Sequence, residues 1–156
     1  MSILQAADLY HTALIVDDLA AAMDRLARLA GHRWMTPVDY PVPVLTPSGE
    51  ATVRLRMTYS LEPPLLELIE EVPGTPWAAV PGHPVHHIGY FVDDTPAASR
   101  GLTAAGLPLE VCARGADGGL GGFAYHRGAD GLRVEVVSRT ALDDMRKLAA
   151  ALGGQR

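Results

Sequence analysis

The stretch that decides the fold occurs twice, as YHTALIVDDL at residues 10–19 and as HHIGYFVDDT at residues 86–95. In each copy a histidine, His11 or His87, opens an apolar run, and the first aspartate of a Val-Asp-Asp sequence follows six residues later. An Ala-rich helical pattern comes next and ends near a glycine in both copies. A repeat of this size indicates one structural unit built twice. It also predicts that the two histidines approach each other across a pseudo-twofold axis.

The pattern around each copy predicts a strand, a helix and three further strands. Leu9 to Val16 is rich in residues that favour strands and is bounded by Asp8 and Asp17, which indicates a strand. Asp17 or Asp18 can cap the next helix, and Gly31 can end it. Strands dominate and helices are few and local, which is typical of α+β proteins. We therefore predict a first βαβββ module at 8–72, a linker at 73–85, a second βαβββ module at 86–139, and a C-terminal helix and tail at 140–156.

Within the modules, turn residues divide the remaining strands. Four prolines at 36–49 predict short extended pieces or an edge strand, and a glycine-rich segment at 115–122 predicts a mobile turn. The other strands are expected at 50–60, 65–70, 107–113, 123–126 and 132–137, with a helix capped by Asp94 in the second module.

Two acidic residues interrupt strands that should be apolar. Glu67 lies within Leu-Leu-Glu-Leu-Ile, and Glu135 lies within Val-Glu-Val-Val. Each has an ordinary explanation, because Glu67 can face solvent and Glu135 can pair with Arg133 on the same face. However, a buried carboxylate is costly unless it is paired or binds a metal, and both occur in the last strand of their units. The repeat thus supplies one histidine and one glutamate per unit.

This donor set of two imidazoles and two carboxylates suits one divalent ion, either Zn, Ni, Co, Mn or Fe. In the His-His pair of the second unit, His87 keeps the spacing to the aspartates that His11 has, so His87 is the predicted ligand. His86 points to the opposite face of the strand, where it would support His87 or lie at the surface.

Composition excludes several functional classes. The formal net charge of -5 argues against a nucleic-acid or anionic-membrane partner. Cys112 is the only cysteine, so no intrachain disulfide forms, and this cysteine content fits a reducing cytosol. The N-terminal residues lack the basic and apolar regions of a signal peptide, and no apolar stretch is long enough for a membrane helix. We therefore expect a cytoplasmic protein.

The repeat, its ligand-type residues and the stretches LELI at 66–69, Thr75-Pro76 and HHI at 86–88 resemble the vicinal oxygen chelate superfamily. This superfamily includes glyoxalases, bleomycin resistance proteins and extradiol dioxygenases, and the local motifs are most similar to methylmalonyl-CoA epimerase-like members. The resemblance implies two βαβββ modules that form a cupped mixed sheet around a central metal site. It also implies a homodimer and a metal bound by His11, Glu67, His87 and Glu135.

The resemblance further implies a metal-dependent isomerase or epimerase, or a glyoxalase-like lyase, that acts on a small carbonyl compound through a metal-stabilised enolate. Glu67 or Glu135 would act as the base. A basic cluster for the phosphates of coenzyme A is not evident, although Arg54 and Arg56 could contribute. The residues that we expect to line the substrate site are Arg54, Tyr59, Tyr90, Phe91 and His126.

Two alternatives stay open. An Fe(II)-dependent extradiol-type dioxygenase typically uses two histidines and one carboxylate, so Glu67 as a fourth ligand argues against it. A non-catalytic protein that binds a drug or another small molecule is the second alternative; relatives of that kind typically lack the ligand set.

Overall fold

The computed structural model describes residues 2–153, with side chains up to residue 151. The chain begins with a short 3₁₀ helix at Ala6–Asp8. The strands and helices that follow are β1 (Leu9–Val16), α1 (Leu19–Ala30), β2 (Val38–Thr46), β3 (Gly49–Tyr59), β4 (Leu65–Glu70), β5 (Val85–Val92), α2 (Thr95–Ala104), β6 (Leu109–Arg114), β7 (Leu120–Arg127), β8 (Arg133–Ser138) and α3 (Ala141–Gly153). The predicted α+β class with two βαβββ units is confirmed.

The first unit shows how local sequence sets these elements. From His11 onward every second side chain of β1 is buried, namely His11, Ala13 and Ile15. The α1 helix starts where the Asp18 carboxylate accepts a hydrogen bond from the Ala21 N–H at 2.9 Å. It ends at Gly31, whose φ of 73° is the left-handed conformation that glycine adopts without steric cost.

The eight strands form one closed barrel in the order β1-β4-β3-β2-β6-β7-β8-β5. Each unit pairs its first and last strands in parallel, β1 with β4 and β5 with β8. The two units meet at the antiparallel pair β1–β5 and, on the opposite side, at β2–β6. The units therefore pair within one chain. Because they share a continuous sheet, the module boundaries at 73–85 stay an interpretation of the repeat.

Strand β2 is longer than its prolines suggested. It pairs with β3 along its whole length but with β6 only at Val44 and Leu45. Pro41 and Pro43 thus lie in the part of β2 that has one paired edge, where a missing N–H costs no ladder hydrogen bond. Strand β7 is also longer than predicted, because it begins at Leu120 inside the glycine-rich segment.

The segment between the units is anchored to the core. Trp77 is fully buried, and its indole N–H donates to the Tyr125 hydroxyl at 3.2 Å. The Thr75 hydroxyl donates to the Val72 carbonyl and accepts from the Trp77 N–H, which fixes the turn that carries the tryptophan. Within residues 2–153, none of the helices has the length and apolar character needed to cross a bilayer.

Candidate metal centre

Four ligand-type side chains converge inside the barrel. The Nε2 atoms of His11 and His87 are 2.7 Å apart. Glu67 Oε2 lies 3.2 Å from His11 Nε2 and 3.3 Å from His87 Nε2, and Glu135 Oε2 lies 3.3 Å from each. All four residues are buried, with 1% to 5% of their surface exposed. The structure thus brings together the full set of ligands that the repeat predicted.

The strand register of the first unit places two of these side chains. Ala13 on β1 is paired both with Glu67 on β4 and with His87 on β5. The three residues lie side by side across neighbouring strands, so they present their side chains to the same face of the sheet. Ala13 is small and fully buried, which leaves space between the two larger side chains.

The second unit repeats this arrangement around Gly89. Gly89 on β5 is paired both with His11 on β1 and with Glu135 on β8. A β-carbon at Gly89 would lie 2.0 Å from His11 Cε1, far inside van der Waals contact. The absence of a side chain at this position is therefore required for the imidazole of His11 to reach the centre. The spacing of the histidines did not reveal this requirement.

The four converging atoms fit a shared cation. Neither Glu67 Oε2 nor Glu135 Oε2 has a hydrogen-bond partner, although both are buried. A buried carboxylate oxygen without a partner costs free energy that a bound cation would offset. Two ligand atoms at about 2.0–2.2 Å from one ion and at right angles are about 3 Å apart, close to the separations observed here. The ligand atoms of His11, His87 and Glu135 all lie within 4.8 Å of one another, so one divalent ion would contact these three side chains, with Glu67 Oε2 beside both histidines. Mixed imidazole and carboxylate donors admit several metals.

Electrostatics favour a cation at the same point. Burial by itself opposes ionisation of Glu67, but His11 and His87 outweigh it and hold the pKa of this carboxyl below its usual range. Burial would likewise lower the pKa of His87, but the carboxylates of Glu135 and Glu67 outweigh it and raise that pKa to about 9. The metal-free site therefore favours a positive charge beside the Glu67 carboxylate, which a proton on His87 or a metal supplies.

His86 supports His87 from behind. The Nδ1 atoms of His86 and His87 are 2.8 Å apart, and His86 Nε2 lies 2.7 Å from the Pro76 carbonyl oxygen. Burial, with the adjacent His87, lowers the pKa of His86 to about 3, so His86 is neutral. It must donate from Nε2, since the carbonyl can only accept, and it accepts from the Nδ1–H of His87. When His87 gives up its Nε2 proton, as metal binding requires, it is thereby held in the tautomer whose Nε2 lone pair faces the centre.

A cavity of about 260 Å³ opens next to Glu67 and Glu135. Its other lining residues come from both units and from α3, and most are aromatic or apolar: Tyr10, Tyr40, Leu55, Met57, Tyr59, Gly122, Phe123, Tyr125, Val137, Ala141, Asp144, Met145 and Leu148. The pKa values of the Tyr59 and Tyr125 hydroxyls are raised well above 10, mainly by burial and to a smaller extent by the nearby carboxylates. Both tyrosines therefore stay protonated and can donate hydrogen bonds into the site.

Of the predicted substrate-binding residues, Tyr59 lines this cavity. Arg54 does not, because the inward positions of β3 are the buried Val53 and Leu55. The Arg54 side chain is 67% exposed and forms an ion pair with Asp39 at 2.7 Å. It lies on the outer face of the barrel.

The other three candidates also lie outside the cavity lining. Phe91 stacks on Tyr10, with ring centroids 3.8 Å apart, and so supports a cavity residue from behind. Tyr90 packs against the second hydrophobic cluster of the core. His126 is fully buried beside α2, where its Nε2 lies 2.8 Å from the Ser99 hydroxyl and its Nδ1 lies 2.8 Å from the Leu107 carbonyl oxygen. Its hydrogen bonds are structural.

Sequence reasoning missed Tyr125 and the α3 helix as parts of the site. Tyr125 pairs with Glu135 in the β7–β8 ladder, as Tyr59 pairs with Glu67 in the β3–β4 ladder. The repeat could have found Tyr125, because Tyr59 was already a candidate and its partner glutamate has an equivalent in the second unit. No pattern in the sequence indicated where α3 would lie.

The fold and site define a protein of the vicinal oxygen chelate type. A sequence profile of the Glyoxalase/Bleomycin resistance protein/Dioxygenase superfamily matches residues 10–126, which is more than half of the chain. The chain therefore belongs to this superfamily, as the sequence motifs suggested. No curated protein sequence matches the chain.

Solved structures show the same fold at low sequence identity. A methylmalonyl-CoA epimerase in complex with methylmalonyl-CoA and NH4+ has a TM-score of 0.61 and 17% identity, over 86% of this chain and 95% of that one. The epimerase from Mycobacterium tuberculosis has a TM-score of 0.60 and 15% identity, over 93% and 96%. A mutant of 4-hydroxymandelate synthase from Streptomyces coelicolor has a TM-score of 0.51 and 23% identity, over 84% of this chain but 38% of that one.

Proposed function

We propose that this protein is a metal-dependent enzyme that removes a proton from the carbon beside a carbonyl group, as an isomerase, an epimerase or a glyoxalase-like lyase. The observation that carries the proposal is the convergence of two imidazoles and two partnerless carboxylate oxygens at the floor of an apolar cavity. His11, Glu67, His87 and Glu135 would hold the metal. When bound, a divalent cation polarises a carbonyl oxygen and stabilises the negative charge that develops on it.

The residues around the metal supply the rest of the chemistry. Glu67 and Glu135 both line the cavity as well as the centre, so either carboxylate can take a proton from a substrate carbon if it leaves the metal. The hydroxyls of Tyr59 and Tyr125 can donate hydrogen bonds to substrate oxygens. The apolar walls exclude water, which strengthens these electrostatic interactions. Two other acidic residues of the first unit, Asp39 and Glu50, are exposed, and neither lines the cavity.

The experiment begins with elemental analysis of purified protein, for which we expect about one metal ion per chain. The metal-loaded protein is then incubated in heavy water with 2-substituted thioesters and ketones, and exchange of the proton beside the carbonyl is followed by NMR. Glu67→Gln and Glu135→Gln form a matched pair across the pseudo-twofold axis. The substitution at the base should lower exchange about 10²- to 10⁴-fold, while the protein keeps its metal.

Glu50→Gln, on the exposed face of β3, is the matched control and should exchange normally. Metal binding without exchange in the wild-type protein would refute the proposed reaction. Oxygen uptake with a catechol would then favour the dioxygenase alternative. Binding of a drug by a protein without metal would favour the non-catalytic alternative. A homodimer stays a prediction, which light scattering can check.

A further inference from the structure

The C-terminal helix α3 forms one wall of the metal cavity. Ala141, Met145 and Leu148 recur at helical spacing on one face of α3, and all three line the cavity that Glu67 and Glu135 also line. Met145 and Leu148 pack against the main hydrophobic cluster, and Ala149 is buried with 4% exposure. The helix is therefore held against the barrel by the same face that borders the metal site.

Of the charged side chains of α3 among the described residues, only Asp144 lines the cavity. Arg146 and Lys147 are 52% and 80% exposed and lie near Asp143 and Asp144. Neither of these cations lines the cavity. Among the described residues, the charged side chains that line it are Glu67, Glu135 and Asp144, all of them acidic. A ligand with phosphate groups would find no basic side chain in this lining.

The size of the cavity also limits its ligand. Its volume of about 260 Å³ is below the range of about 300–1,000 Å³ that is usual for pockets holding drug-sized molecules. Tyr10, Tyr40 and Phe123 supply aromatic surface for the part of a ligand that does not contact the metal. The walls thus favour a small molecule with an apolar or aromatic body.

We infer that α3 limits the substrate of this site to a compact, uncharged carbonyl compound with an apolar body, and that it excludes coenzyme A thioesters. This inference rests on the proposed function, because it assigns the substrate class of the same metal site. The inference itself concerns only α3 and the wall that this helix forms in the cavity. An experiment must therefore vary the size of the ligand while the group that binds the metal stays the same.

The test uses metal-binding probes that share one head group. Protein loaded with Co²⁺ is titrated with acetohydroxamate, benzohydroxamate and biphenyl-4-carbohydroxamate, and binding is followed by the visible absorption of the cobalt. We expect benzohydroxamate to bind best, since its ring meets the aromatic walls, and the biphenyl probe to bind at least about tenfold more weakly. Methylmalonyl-CoA should not displace benzohydroxamate, whereas the S-ethyl thioester of methylmalonate monomethyl ester should.

Substitutions in α3 move the size limit in both directions. The double variant with Met145→Ala and Leu148→Ala has a wider cavity, and it should bind the biphenyl probe about tenfold or more strongly than the wild type does. Leu148→Trp narrows it and should weaken benzohydroxamate binding while leaving acetohydroxamate nearly unchanged. Arg146→Ala, on the outward face, is the control and should behave like the wild type. Circular dichroism and cobalt stoichiometry check that each variant is folded.

The outcomes separate the inference from the proposed function. Equal binding of benzohydroxamate and the biphenyl probe by the wild type would overturn the inference, as would α3 variants without effect or displacement by methylmalonyl-CoA. The expected size selectivity in a protein that never exchanges a proton would support the inference and refute the proposed reaction. A protein that binds no cobalt would overturn the proposed function and the inference with it.

Discussion

Replacing Gly89 with alanine should damage the metal centre more than any other substitution of a glycine in the barrel. A β-carbon at this position would lie 2.0 Å from His11 Cε1 and 2.8 Å from His11 Nε2, whereas ordinary contacts begin at 3.4 Å. The imidazole would have to retreat by about 1.4 Å to restore contact. Metal–nitrogen bonds in proteins are defined to about 0.2 Å, so this shift removes His11 from the ligand set.

We expect Gly89→Ala to lower metal affinity about 10²-fold or more, which is at or above the upper end of the ~10–100-fold loss usual for changes behind a ligand. Overpacking should also destabilise the metal-free fold by about 1–3 kcal/mol. Affinity is measured by competition with a chromophoric chelator, and stability by urea denaturation of the metal-free protein. Gly122→Ala is the matched control, because a β-carbon there has nothing within 4 Å.

A double-mutant cycle with His11→Ala tests the reasoning directly. If Gly89→Ala acts by displacing the His11 ring, it should cost no further metal affinity once that ring has been removed. Full affinity in the Gly89→Ala protein would refute the proposed contact. Additive losses in the double mutant would show that the glycine acts through something other than His11.

Four further outcomes follow from the second unit and from the linker that precedes it. His86→Phe removes the acceptor that fixes the His87 tautomer and should lower metal affinity about 10–100-fold, measured by chelator competition; His86→Gln, which keeps an acceptor, should lose less. Since His87 has a pKa of about 9 in the metal-free fold, metal uptake at pH 7 should release a proton, and affinity should fall about tenfold per pH unit below that value. The folded pKa exceeds the unfolded value of 6.5, so the stabilisation from protonated His87 is complete below about pH 6.5 and is lost as pH rises towards 9; urea titrations of metal-free protein measure it. Trp77→Phe removes the donor to Tyr125 and should lower the free energy of unfolding by about 1–3 kcal/mol, with metal affinity nearly unchanged.

The convergence of the two histidines and two glutamates, and most strand positions, could be predicted from the sequence because they depend on local periodicity and on the repeat. The predicted strands at Leu9–Val16 and 65–70 have the bounds observed, and Asp18 caps α1 as one of two expected candidates. These features depend on alternation of side chains and on hydrogen bonds between near neighbours in the chain. Strand bounds and helix caps of this kind can be predicted without knowledge of the tertiary contacts.

The remaining features depend on contacts between distant parts of the chain. Strand β2 continues through Pro43 because its second edge is open there, which only the sheet order shows. The amphipathic pattern of α3 predicts a buried face but not the cavity that this face borders. Arg54 and His126 were plausible site residues by type, yet the register of their strands places one at the surface and the other beside α2.

The repeat also explains how one half of the site differs from the other. Tyr10 and His86 occupy equivalent positions, each directly before one of the two histidines that face the candidate metal centre. Tyr10 lines the cavity and packs edge-on against the His11 ring, with the two ring centroids 4.2 Å apart. His86 instead forms hydrogen bonds with both His87 and the Pro76 carbonyl. His87 is consequently oriented by hydrogen bonds, but the Nδ1 atom of His11 has no partner, and the space left by Gly89 determines where its ring can lie. Duplication thus accounts for the symmetric placement of the histidines and glutamates. Divergence of the residue before each histidine explains the difference between the units: His86 fixes the orientation of His87, and Tyr10 forms part of the cavity wall.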